Sequence, residues 1–257
     1  MAIRLIGLRC EAALGTSGWG CGRILPTVRL TLQTSAAGFV DPTVHAVCGQ
    51  QCGGLVGAHG ATLDNGVPVG HYMASFDVSR PRPSDAALPW EWEPAEAPVA
   101  PDDYELTHEE SDIVRTVTQH AATAAPTGGE RLGVAPPWID RLLDSSCAPV
   151  ASDAGALCLV PNSAMRNRAG FVQGAVLFGI ALRTVEQLIA STGRAATMGY
   201  ADIAFVAAAQ AQLPVTTVVR LTRQTRMASF VTCDVEQDGH PVAQASFVHT
   251  SQPPDDR

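Results

Sequence analysis

The sequence predicts an α+β protein built from two related units, each a helix followed by an antiparallel meander. Three observations carry that prediction. Runs of period two recur in both halves, as where Val28, Leu30 and Leu32 alternate with Arg29, Thr31 and Gln33; this is the pattern of a half-buried strand. Two tight turns, Asp64-Asn65-Gly66 and Gln237-Asp238-Gly239, precede the last strand of each meander, and Asn-Gly and Asp-Gly are the pairs that tolerate positive φ in a short hairpin. Apolar segments of helical character stand ahead of the strands, at 1–14 and at 175–190.

Taken in order, residues 1–14 hold helix-favouring Leu5, Leu8, Arg9, Glu11, Ala12, Ala13 and Leu14, interrupted only by Gly7. Gly15, Gly18, Gly20 and Gly22 follow. Their spacing is not G-x-G-x-x-G, no strand precedes them and a strand comes next, so a dinucleotide loop is excluded by context. A helix end and a flexible return are expected instead. Strands are predicted from Ile24, at Thr43–Val47, at Leu55–Leu63 and, past the first turn, at Val67–Phe76.

Composition then shifts. Six prolines (Pro81, Pro83, Pro89, Pro94, Pro98, Pro101) lie between Arg80 and Asp103, with Trp90 and Trp92 among them, which reads as a linker. Thr107-His108-Glu109-Glu110 is a capping box for a helix to about Ala122. His108 and His120 lack H-E-x-x-H spacing and are expected on the surface. After Pro136-Pro137 come an amphipathic piece from Trp138 and a strand pair across Cys147–Val160. The polar stretch Asn167-Arg168-Ala169-Gly170-Phe171-Val172-Gln173-Gly174 then enters an apolar helix, Ala175 to about Ala190. Strands at Ile203–Ala207, Val215–Leu221, Met227–Val235 and Val242–His249 complete the second half. The predicted organisation is an N-terminal unit 1–77, a proline-rich acidic linker 78–137, a C-terminal unit 138–250 and a polar tail 251–257.

The formal charge is −8, which leaves no basic surplus for phosphates and excludes nucleic acid as the main partner. All 17 basic residues are arginine, a coding bias from which no function follows. Seven cysteines are scattered without a C-x-x-C pair, so a zinc or thioredoxin-like motif is excluded, and a reducing cytoplasm is expected. The N-terminal apolar run is too short for a signal peptide, and the longest one, Ala175–Leu182, is shorter than a membrane span. No metal or cofactor is expected.

The stretch Asn167–Gly174 is where chemistry could sit. Gly170 and Gly174 let backbone amides approach a ligand closely. The helix start offers unpaired N–H groups at the positive end of a dipole, a place for an oxyanion or phosphate. Read from the residues alone, a plain helix entry into a core fits equally well.

The two meanders also match each other. Phe39–Val44 corresponds to Gln212–Thr217, Asp64–Val69 to Gln237–Val242, and Ala74-Ser75-Phe76 to Ala245-Ser246-Phe247. With the pattern Asn-x-x-Gly-x-x-(His)-Gly, this order of elements resembles the hotdog-fold acyl-CoA thioesterases of the phenylacetate type. The resemblance implies a double hotdog, each half a curved antiparallel sheet wrapped around a central helix. The second half covers the whole unit. The first lacks the opening strands; a start codon assigned too far downstream would give the same picture.

The resemblance also implies a composite site. Asn167, Gln173 and Gly174 match the family's turn, with Gln173 where histidine is usual. The acid position of that helix falls on Leu182, and the strand hydroxyl position near Ala201. The first half supplies what these lack: Glu11 at the acid position and Thr27 at the hydroxyl position. Gly174 N–H would hold the oxyanion, Gln173 would orient the carbonyl or a water, and Asn167 the turn or the nucleophile. Glu11 would act as general base or nucleophile, with Thr27 placing the water. Gly170, Arg223 and Arg226 are the expected substrate-binding residues, the arginines (with Arg220) on coenzyme A phosphates, though solvated strand-end charges account for them equally. Arg183 and Glu186 are expected as a surface or interface pair. The function implied is acyl-CoA hydrolysis by a cytoplasmic homo-oligomer of double hotdogs. A catalytically inactive acyl-CoA-binding or partner-subunit protein is the alternative. A hydratase is disfavoured, since 165–190 holds neither Asp nor His.

Overall fold

A computed structural model of the chain describes residues 27–34, 42–77, 108, 111, 115, 147–149, 155–162, 165–167, 170–194 and 196–251. The predicted helix at 1–14, the tryptophans of the linker and most of the helix at 107–122 lie outside the described residues.

Ten strands and one long helix make the described fold. The strands are β1 (Thr27–Thr34), β2 (Pro42–Cys52), β3 (Leu55–Asp64), β4 (Val67–Asp77), β5 (Cys147–Pro149), β6 (Ala156–Leu159), β7 (Ala196–Phe205), β8 (Val215–Gln224), β9 (Ala228–Gln237) and β10 (His240–Ser251). The helix is α1 (Gly174–Ser191). All strands join one sheet in the order β2-β3-β4-β1-β7-β10-β9-β8-β6-β5, and every pairing is antiparallel. The halves therefore meet edge to edge, β1 against β7.

Alternation explains which face is inside. Leu30 and Leu32 of β1, Tyr72, Ala74 and Phe76 of β4, Ala201 and Ile203 of β7 and Ala243, Ala245 and Phe247 of β10 are buried. α1 lies on this face of the second half, with Val176, Leu177, Phe178, Ile180, Ala181, Leu182, Val185 and Ile189 in the core. The rings of Phe178 and Phe247 sit 6.0 Å apart between helix and sheet, a spacing suited to attractive edge contacts. By length and composition α1 could cross a membrane, yet 61% of it is buried inside the protein, which is what a core helix requires. Inside this layer Thr184 bonds the Ile180 carbonyl and the Thr217 hydroxyl, so the hydroxyls carried into the core by α1 and β8 satisfy each other. Cys233 is buried too, and desolvation beside Asp234 pushes its thiol up to about 12, so it serves as a small hydrophobe.

Both hairpin turns form as the sequence predicts. Asn65 and Gly66 have φ 50° and 79°, Asp238 and Gly239 φ 51° and 75°, the left-handed pair of a type I′ turn. The registers also relate the halves. Thr62 pairs Gly70 and Val235 pairs Ala243, so 173 residues separate the equivalent positions of these hairpins. Leu30 pairs Ala74 while Ala201 pairs Phe247, so β1 and β7 are related by 171 residues instead. Ala74 is thus the counterpart of Phe247, and the match of Ala-Ser-Phe with Ala-Ser-Phe slips by two residues. A two-residue slip keeps every side chain on its own face, which is why the pattern concealed it.

β7 starts at Ala196, seven residues before the predicted strand. Gly199 and Asp202 interrupt the apolar alternation there. Asp202 faces outward, where Arg29 Nε and Nη2 reach its carboxylate at 2.8 and 2.9 Å and Thr31 Oγ1 donates to it at 2.8 Å. A charge unsuited to a strand by propensity is accommodated by a partner 173 residues away.

Candidate functional site

The turn before α1 is built by its own backbone. Asn167 N–H donates to the Phe171 carbonyl at 2.8 Å, and Phe171 N–H returns to Asn167 Oδ1 at 3.0 Å. Gly170 N–H closes onto the Asn167 carbonyl at 3.0 Å. Gly170 has φ 83°, a conformation that costs any residue with a Cβ. Asn167 therefore shapes the turn, and its side-chain oxygen is engaged in doing so. Of its two expected roles, orienting the turn is the one the geometry favours.

The turn is pinned from two sides. Gln173 N–H donates to the Met165 carbonyl at 2.9 Å, and Val172 N–H to the Ala209 carbonyl at 2.8 Å. Phe171 bridges Gln210. That second support, the loop after β7, is held in turn by Gln237. Its Oε1 accepts Gln210 N–H at 2.7 Å, while Nε2 donates to the carbonyls of Gln210 at 2.9 Å and Leu213 at 3.0 Å. Gln237 is buried. The sequence showed it only as a hairpin residue, and nothing in its local context marks it as the anchor of a loop 27 residues earlier.

α1 begins at Gly174 with an open end. Gln173 is the N-cap in extended conformation, but its side chain makes no cap bond, and no acidic residue lies in the first turn. The Gln173 carbonyl takes the N–H groups of Val176 and Leu177 at 3.0 and 3.2 Å. Gly174 N–H has no partner among the described residues. Gln173 Nε2 donates to the Arg166 carbonyl at 3.3 Å, so its amide braces the turn. An unpaired amide at the positive end of a helix, with no side-chain cap competing for it, can receive a carbonyl oxygen or an anion.

Thr27 comes to the same end of the sheet. β7 leaves the β1–β7 ladder past the Arg29–Ala204 pair and feeds directly into the loop that holds Phe171 and Val172. Thr27 begins β1 at that end. A bulge between Thr27 and Arg29 places Thr27 opposite buried Phe76, so its side chain shares the core face that strict alternation would deny it. Re-aiming one side chain is what a bulge does. Leu182 and Ala201, the positions expected to lack function in this half, are wholly buried apolar residues.

Two expected residues are not brought here. Arg223 is exposed near the end of β8, and Arg226 is exposed in the following hairpin. β8 starts beside the Gln210–Leu213 loop and runs away from it, so its ten residues carry Arg223 about 30 Å from the turn. The helix agrees: Arg194, just past the end of α1, donates to the Thr225 carbonyl at 2.6 Å, and 18 residues of helix span about 27 Å. These arginines therefore belong to the opposite end of the molecule. Arg220, on the same strand, is paired with Asp234 at 2.7 Å. Glu11 lies outside the described residues.

No family model matches this sequence, and no curated protein matches it either. Solved structures do. The chain is similar to the tesB protein of Mycobacterium avium subs paratuberculosis, with a TM-score of 0.62 at 13% identity over 97% of this chain and 86% of that one. A conserved protein with hot dog fold from Alicyclobacillus acidocaldarius gives 0.57 at 14% identity over 96% and 87%. A candidate thioesterase from Novosphingobium aromaticivorans gives 0.56 at 15% identity over 97% and 87%. The chain has the hotdog fold.

Proposed function

We propose that this protein is an acyl-CoA thioesterase of the double-hotdog arrangement, working at a composite site at the N-terminal end of α1. The observation that carries the reading is the open Gly174 amide on a turn braced from both sides, with Thr27 turned inward at the same end of the sheet. The edge-to-edge junction of two matching meanders supports the double arrangement, and the thioesterase name of the structural relative from Novosphingobium aromaticivorans agrees with the class.

In the proposed mechanism the thioester carbonyl oxygen lies on Gly174 N–H, which stabilises the charge that develops as the tetrahedral intermediate forms. Glu11, from the first half, takes a proton from water held by Thr27. The hydroxide adds to the carbonyl carbon; the C–S bond breaks, and the coenzyme A thiolate collects the proton from Glu11. Asn167 and Gln173 keep the turn in shape. Coenzyme A and its acyl chain are the proposed ligands, in a cytoplasmic homo-oligomer.

The inactive acyl-CoA-binding alternative is favoured by one observation. Gln173 stands where the family that the sequence resembles usually has histidine, and its amide is engaged with the Arg166 carbonyl. Free coenzyme A release across short, branched, aromatic and long acyl-CoAs decides between them. The expected result is turnover of at least one substrate, reduced at least 100-fold by Glu11→Gln. Tight calorimetric binding without turnover of any acyl chain selects the alternative, and equal turnover by wild type and Glu11→Gln removes Glu11 from the mechanism.

A further inference from the structure

The far end of α1 holds a polar cluster that the Gly174 site does not use. β10 delivers His249 to the core face, where it is 2% exposed and both imidazole nitrogens lack a hydrogen-bond partner among the described residues. Ser251, one pleat further on, has a buried hydroxyl that also lacks a partner among the described residues. Glu186 of α1 is close enough for its charge to act on the imidazole. Across the ladders His249 faces Met198 of β7 and buried Ser229 of β9, neither of which is charged. Each buried polar atom left without a partner costs about 1–3 kcal/mol, and such groups in a folded protein call for a ligand, a water or a catalytic role.

The position of the cluster is as telling as its chemistry. The β7–β10 ladder is interrupted between Val248 and His249, with Gly199 as the extra residue. The β1–β4 ladder is interrupted in the same way between Thr27 and Arg29, with Val28 extra. By the registers above, the counterpart of Thr27 is Met198, and that of Phe76 is His249. The cluster therefore occupies the second half's equivalent of the place where Thr27 is turned inward. Where the first half has an apolar wall, the second has an acid–base group.

We propose that His249 is the general base of a second thioester-hydrolysing centre. This rests on the thioesterase reading. Burial lowers the imidazole pKa, against the opposing effect of Glu186, so the ring is neutral near pH 7 and able to accept a proton. Nε2 or Nδ1 takes a proton from water as the water oxygen bonds to the thioester carbonyl carbon. The C–S bond then breaks, and the imidazolium returns its proton to the departing thiolate. Glu186 stabilises the imidazolium between these steps, and the Ser251 hydroxyl is available to the water.

The test measures coenzyme A release by wild type, Glu11→Gln, His249→Phe, Glu186→Gln and the double variant Glu11→Gln/His249→Phe. Phenylalanine is chosen because Phe76 fills the equivalent place, and circular dichroism verifies folding. Glu11→Gln is expected to leave residual turnover that falls as pH drops through the His249 titration, and adding His249→Phe should lower that residue at least tenfold. Glu186→Gln should move the acidic limb of kcat/KM to lower pH, which a merely structural carboxylate would not do. A double variant equal to Glu11→Gln, or no residual turnover in Glu11→Gln, overturns the second centre and leaves the first. A wild type inactive on every acyl-CoA overturns the thioesterase reading and this proposal with it.

Discussion

Asp202→Ala tests whether the two halves are joined by more than main-chain pairing. Asp202 receives two bonds from Arg29 and one from Thr31 across the β1–β7 junction. The Arg29 side chain is 59% exposed and the Asp202 side chain 17%. Freed Arg29 is resolvated at once, so the ion pair itself contributes at most about 1 kcal/mol. Thr31 Oγ1 is half-buried and loses its acceptor, which adds about 1 kcal/mol. The total is about 2 kcal/mol for Asp202→Ala and about half that for Arg29→Ala. At about 2–4 °C per kcal/mol for a chain of this size, calorimetry should show Tm lower by about 4–8 °C in Asp202→Ala. Adding Arg29→Ala to Asp202→Ala should cost almost nothing more, because the pair is already broken. High salt should narrow the gap between wild type and Arg29→Ala. If Asp202→Ala costs no more than Arg29→Ala, or if the two losses add in full, the outward network does not hold the junction and the reasoning fails.

Two further outcomes follow from packing and titration. Gly60→Ala would place a Cβ against the His45 carbonyl and the Tyr72 hydroxyl, which are themselves hydrogen-bonded; urea unfolding should show a loss of about 2–3 kcal/mol, the cost of overpacking a closed site. His249 has its pKa lowered in the fold by burial, so below about pH 6.5 the unfolded chain binds a proton that the folded one resists. Stability should therefore fall as pH drops from 7 to 5, and His249→Phe should flatten that slope; an unchanged slope would show that the ring protonates freely in the fold.

Local chemistry made much of this fold legible. The Asn65-Gly66 and Asp238-Gly239 turns were readable because positive φ selects those residues whatever surrounds them. The helix from Gly174 was readable because its apolar run is long enough to exclude a strand. What the sequence concealed was long-range. β7 was read seven residues short because its charge, Asp202, is compensated from β1 rather than by a neighbour in sequence. Arg223 and Arg226 looked like phosphate ligands until the direction of β8 placed them at the wrong end of α1. Gln237 anchors a loop far from it in sequence, and the burial of His249 depends on the helix and strands packed around it, so neither is marked by its own neighbours in the chain. Thr27 was picked on resemblance, and the bulge that turns it inward has no signature in its own residues.

The β1–β7 junction bears on how the chain can vary. Thr31 and Asp202 are 171 residues apart, so about two-thirds of the 257-residue chain is the loop that must close before they meet. Closure entropy grows only with the logarithm of loop length, about 0.6 kcal/mol for each doubling. Inserting or deleting twenty residues in the proline-rich segment would therefore change stability by much less than losing Asp202. Length between the halves is therefore a weak constraint on closure, while a single carboxylate on the outer face of the sheet is a strong one.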